Sequence, residues 1–214
     1  MILAIDTTSE FGSLALVDER GRIAGELPMH SSDGFSHVLY NHLSGFLDKQ
    51  SVRLVDIKCF ACAAGPGSFT GVRVGMAAVK GLAEATARPA VAISNLQALA
   101  FFGEAPLRAT LLDARRGDIF GAVYDDALEI VRPQVVMKLE DWTASLPKDN
   151  IEFVSNQRFA GIELREAPLA LAGAVAGIAW RRFQRGEIGD PALLDANYVR
   201  RADAELAWKD PATP

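Results

Sequence analysis

Ala63-Ala64-Gly65-Pro66-Gly67-Ser68-Phe69-Thr70-Gly71-Val72-Arg73-Val74-Gly75 is the stretch on which the fold of this chain turns. Upstream of it, Ile57 to Ala64 is an apolar run of strand length. Downstream, Val72 to Ala87 contains no proline and many alanines, which predicts a helix. Between the two, Gly65, Pro66 and Gly67 demand a sharp turn, because glycine reaches positive φ and proline fixes its own. Ser68 or Thr70 supplies a side chain able to cap the helix N-terminus. A glycine loop that opens a helix can hold an anion on its free N–H groups, or can be a tight turn with no ligand. The spacing, G-x-G-x-x-x-G with no Lys-Ser or Lys-Thr behind it, matches neither the dinucleotide fingerprint nor the P-loop.

The helix is more informative than the loop. At ~100° per residue, Val72, Met76, Val79 and Ala83 fall on one side and Val74, Ala78, Gly81 and Ala85 on the other. Arg73, Lys80 and Glu84 form a narrow polar stripe between them. A helix resting on its own sheet needs one apolar face, so two faces imply a second cover, from this chain or a partner. Phe35 to Lys49 reads as another helix with apolar surface to spare. Its apolar arc, Phe35, Val38, Leu39, Tyr40, Leu43, Phe46 and Leu47, is wider than the ~100° stripe that one core requires. The bulkier faces are assigned outward, giving a partner interface of Phe35, Leu39, Leu43, Phe46, Val72, Met76, Val79 and Ala83. Such an interface would bury about 1,200–2,000 Å² in total. Met76→Asp or Val79→Asp is then expected to abolish pairing while leaving a folded monomer.

Around this centre, Ile2–Thr8, Ser13–Glu19 and Arg22–Met29 read as three strands joined by turns at Glu10-Phe11-Gly12 and Arg20-Gly21. The first half thus runs three strands, helix, strand, helix, and a last strand at Ala90–Ile93. The second half opens in the same way. Leu111 to Asp125 lines up with Leu3 to Asp18, each being a strand ending in Asp, a polar turn with glycine nearby, and a second strand ending in Asp. A strand at Gln134–Lys138, a helix at Glu140–Leu146, a strand at Ile151–Ser155 and a helix at Leu169–Gln184 follow. The pattern suggests an α/β protein made by duplication, with Gly103-Glu104-Ala105-Pro106 linking units 1–103 and 104–214. Two tandem βββαβα-type units suggest the duplicated ribonuclease-H-like architecture (the actin-like ATPase fold) of actin and the sugar kinases.

A formal net charge of −5 argues against a freestanding nucleic-acid binder, and the pairs Arg115-Arg116, Arg181-Arg182 and Arg200-Arg201 read as solvated surface. Met-Ile-Leu-Ala-Ile-Asp at the start meets an acid at once, unlike a signal peptide, and Ala167 to Trp180 is too short to span a bilayer. A soluble, cytoplasmic protein with no membrane contact is expected. Cys59 and Cys62 form a C-x-x-C, but both lie inside the predicted strand, where positions three apart point to opposite faces. They read as buried small hydrophobes rather than a redox or zinc pair.

Asp6-Thr7-Thr8-Ser9 could be a phosphate loop with Asp6 orienting Mg²⁺, or a turn whose side chains satisfy backbone groups locally. A second phosphate hairpin of small residues is missing, since Arg115-Arg116 fills its place, and fold does not imply function. His37 and His42 are five apart, so on a helix their rings point ~140° from each other and share no face. No motif beside the three histidines marks a Ser–His or Cys–His site. A small actin-fold ATPase or nucleotide-binding module is the main alternative to an assembly subunit; a glycoprotease-like peptidase is the least favoured. No metal and no cofactor is expected.

The segments GPGSFTGVRVG, the opening ILAIDTTSEFGSLALVDERG, the DARRGDIFGAVY block at Asp113–Tyr124 and the NYVRRADAE tail at Asn197–Glu205 resemble the TsaB (YeaZ) family. The resemblance runs from end to end, and its glycine loop, Gly65, Gly67 and Gly71, is the most specific part. It implies the duplicated ribonuclease-H-like fold, with the segment from about Pro191 packing back on the first unit. It also implies a non-catalytic subunit of the bacterial machinery that makes threonylcarbamoyladenosine in tRNA. Its partner would be TsaD, met through a helical bundle, with the ATPase TsaE joining the assembled pair and tRNA reached only through the complex. Without TsaD, self-pairing through the same faces is expected. TsaD relatives place an H-x-x-x-H metal pair just after the strand that follows the glycine-loop helix; here that place reads Asn95-Leu96-Gln97-Ala98-Leu99.

Overall fold

The computed structural model describes residues 1–196. Five strands form the first sheet: β1 (Ile2–Asp6), β2 (Phe11–Val17), β3 (Ile23–His30), β4 (Cys59–Ala63) and β5 (Ala90–Ile93), in the order β3-β2-β1-β4-β5. β1 to β3 are antiparallel neighbours, whereas β4 and β5 run parallel to β1. The second sheet repeats the arrangement with β6 (Leu107–Arg115), β7 (Asp118–Asp125), β8 (Ile130–Lys138), β9 (Ile151–Ser155) and β10 (Leu164–Glu166), in the order β10-β9-β6-β7-β8. Matching order and strand direction in the two sheets is the geometry of the duplicated ribonuclease-H-like fold.

Period-two alternation decides which residue meets which layer. Leu3, Ile5, Leu14, Leu16, Phe60 and Cys62 face one side of the first sheet and pack with α1 (Leu39–Gln50) and α2 (Phe69–Thr86). The smaller Ala4, Ala15, Cys59, Ala61 and Ala63 face the other side. Their size lets α5 (Ala172–Gln184), itself rich in alanine and glycine, lie close over β1, β2 and β4. α3 (Asn95–Ala100) packs beside α5 and against β6, β7 and β9. Each half therefore lends its last helix to the joint, and one core cluster runs from Ile2 and Ala61 through α3 and α5 to Leu112, Tyr124 and Val154. α4 (Leu139–Ser145) closes the far face of the second sheet with Trp142, over Ala109, Ile119 and Val123.

Two departures from the expected order stand out. α3 is an additional helix, six residues long and wholly buried, too short to display a period. β10 is a three-residue strand, and it precedes the helix expected at Leu169–Gln184, which begins at Ala172. α5 is thus the counterpart of α3, not of α2. Among the described residues the second half carries no helix between β9 and β10, so the βββαβα pattern is complete only in the first half.

Candidate functional site

α2 begins at Phe69 because Ser68, with extended backbone, accepts the N–H of Gly71 on its hydroxyl at 3.2 Å. It ends where Ala87 turns left-handed at φ +50°. α1 begins four residues later than expected. Gly34 has φ +81° and a tight turn bonded to the Phe35 carbonyl occupies 35–38, so Phe35 precedes the helix and its ring lies over Gly12.

The outward assignment of the bulky faces is overturned. Phe35, Leu39, Leu43, Phe46, Val72, Met76, Val79 and Ala83 are all buried, none more than 8% exposed, and all but Val72 belong to the core over the first sheet. The physical reason is volume: the large side chains of α1 and α2 fill the layer against Leu3, Ile5, Leu14 and Leu16, and small ones are left outside. The outward surface is Tyr40, Asn41, Ser44, Gly45 and Asp48 on α1, and Arg73, Ala77, Gly81, Glu84 and Ala85 on α2. Tyr40 is the large apolar residue on the α1 side, 58% exposed, and Phe69 at the start of α2 is 49% exposed. Gly45 and Gly81 lie mid-helix without positive φ, and an added Cβ at either would meet nothing within 4 Å. No contact among the described residues therefore requires glycine at either place.

The glycines of the loop are different. A Cβ on Gly67 would stand 2.6 Å from the Thr8 carbonyl oxygen, and one on Gly71 2.0 Å from that of Thr7. Gly65, at φ +96°, turns the chain where an L side chain would be strained. The loop is pressed onto the Asp6-Thr7-Thr8 turn. Ser68 N–H donates to the Thr8 carbonyl at 2.6 Å and the Thr7 hydroxyl to the Gly71 carbonyl at 2.7 Å. Asn95 locks the third side: its Nδ2 donates to Thr8 Oγ1 at 2.5 Å and its Oδ1 accepts Gly65 N–H at 3.0 Å.

Asp6 is consumed by the same network. One of its oxygens accepts both the N–H and the hydroxyl of Thr8, at 2.9 and 2.6 Å. Burial pushes its carboxyl above the usual range, against those bonds and one from the Leu171 N–H. Of the two readings of Asp6-Thr7-Thr8, local satisfaction fits this geometry. A cleft of about 900 Å³ lies between the sheets, walled by Ser68, Phe69 and Asn95 on one side and Asp113, Arg115, Arg116 and Gln157 on the other. Arg115 and Arg116 hold φ of +66° and +59° at the β6–β7 turn. Asp113 fixes that turn by accepting Arg115 N–H at 2.8 Å, and Lys138 Nζ donates to the Arg116 carbonyl at 2.9 Å.

Cys59 and Cys62 are buried on opposite faces of β4, one in each core layer, and burial pushes both thiols up to about 12. His37 is exposed and His42 half-buried, and among the described residues no three His, Cys, Asp or Glu side chains come together as a metal cluster. No helix among the described residues is long and apolar enough to cross a membrane.

A model of the family described as TsaD, tRNA N6-adenosine threonylcarbamoyltransferase, matches residues 15–181. The chain is 30% identical over 228 residues to the tRNA threonylcarbamoyladenosine biosynthesis protein TsaB of Escherichia coli, with 97% of this chain and 96% of that one covered. The chain belongs to the TsaB family, within the wider TsaD family. A TsaB from Bacillus subtilis is 29% identical, covering 97% of both chains. YeaZ from Pseudomonas aeruginosa superposes with a TM-score of 0.79 at 26% identity, over 92% of this chain and 98% of that one.

Three of the four segments that resemble TsaB can be placed. The opening forms β1 and β2, the glycine loop joins β4 to α2, and DARRGDIFGAVY is the β6–β7 hairpin. All three border the cleft, through Asp6, Gly67 and Arg115. The fourth, Asn197–Glu205, lies outside the described residues. Before it, a 3₁₀ turn at Pro191–Leu193 contacts α2, Lys80 donates to the Ala192 carbonyl at 3.3 Å, and Leu194 and Ala196 join the core under α2. The stretch Asn95-Leu96-Gln97-Ala98-Leu99 falls on α3. There Asn95 serves the glycine loop, and Gln97 bridges the Leu128 carbonyl and the Arg182 guanidinium. Asn95 carried no usable sequence signal, because its role needs a loop 30 residues away.

Proposed function

We propose that this chain is a non-catalytic subunit of the machinery that forms threonylcarbamoyladenosine in tRNA, acting by assembly with TsaD. The observation that carries this reading is similarity to TsaB proteins over the whole length of both chains. The geometry agrees with it: the polar groups of the glycine loop and the Asp6 turn are spent on one another, while among the described residues nothing covers the outer side of α1 and α2.

The partner surface in this reading is the small-residue side of α1 and α2, opposite to the bulky side. Tyr40 supplies its anchor, and Ser44, Gly45, Ala77, Gly81 and Ala85 permit close approach of a partner helix. A mid-helix glycine is unfavourable by ~1 kcal/mol relative to alanine. Two of them, exposed and with open space around them among the described residues, favour a surface kept free for a close-packed neighbour. The same surface would serve self-pairing without TsaD, and TsaE would join the assembled pair.

Reconstitution tests the function directly. Purified TsaD, TsaE, ATP, tRNA and threonylcarbamoyl-adenylate are combined with and without this chain, and modified adenosine is counted. Modification should need the chain; equal yield in its absence would refute the reading.

A further inference from the structure

We draw no further inference here: the strongest candidate, the cleft between the two sheets beneath the Arg115-Arg116 turn, carries nothing because the polar groups buried at its wall, Asp6, Thr8 and Asn95, are hydrogen-bonded to one another and to backbone, so no described group there points to a ligand.

Discussion

Gly81→Ala separates a helix built for its own core from one built for a partner. Gly81 lies inside α2, exposed, and beyond the backbone of its own helix no heavy atom of the described residues comes within 4 Å of an added methyl group. In the free chain the substitution removes the backbone entropy of glycine and should stabilise by ~1 kcal/mol. For a chain of this size that raises the melting temperature by about 2–4 °C. In the proposed complex the methyl group would land between two closely packed helices, where overpacking costs typically 1–3 kcal/mol. Affinity for TsaD should fall by roughly 5- to 150-fold, since ~1.4 kcal/mol is a factor of ten. Differential scanning calorimetry reads the first effect and isothermal titration with TsaD the second. The opposite signs are the test, because a purely structural role cannot stabilise the fold and weaken assembly together. A lower melting temperature would mean that this chain crowds Gly81, and unchanged affinity would remove the interface from this face of α2. Gly45→Ala on α1 should behave in the same way.

Gly71→Ala is the contrasting case, because its Cβ would sit 2.0 Å from the Thr7 carbonyl oxygen. It should lower thermal stability markedly, and a melting temperature equal to wild type would contradict the close packing of loop on turn. Val79→Asp places a carboxylate at a fully buried position and should unfold the chain, at a cost of several kcal/mol, instead of yielding a folded monomer; a native circular dichroism spectrum would disprove this. Asn95→Ala leaves the Gly65 N–H and the Thr8 hydroxyl without their shared partner and should cost about 1–3 kcal/mol in urea unfolding. Both thiols titrate at about 12 in the fold, above the ordinary thiol value, so the unfolded chain loses these protons first. Stability should therefore be unaffected by the cysteines below about pH 8.5 and fall above it, by up to ~1.4 kcal/mol per pH unit for each thiol. A Cys59→Ala/Cys62→Ala variant should show a shallower decline between pH 9 and 11, and an unchanged slope would refute the assignment.

Much of the fold was legible because its signals are local. The apolar runs at Ile57–Ala64 and Ala90–Ile93 and the Gly-Pro-Gly turn state their own conformation, and Ser68 caps α2 as its position suggested. The opposed orientation of Cys59 and Cys62 followed from period two alone. Repetition of strand, turn and strand at Leu111 to Asp125 was enough to expose the duplication, since hairpins are built from neighbours in sequence. What the chain alone could not say is which side of a two-faced helix meets the sheet. Hydropathy ranks Val72 and Met76 above Ala77 and Gly81, but direction depends on the volume left over Leu3, Ile5 and Leu16, a quantity set by three strands and two helices together. The exchange of α3 and α5 across the joint, and the capture of Asn95 by the glycine loop, were hidden for the same reason. Their contacts join residues from about 30 to 160 positions apart, such as Ala172 N–H on Ser13 Oγ. Local pattern records what a residue prefers; only the packed chain decides which neighbour satisfies that preference.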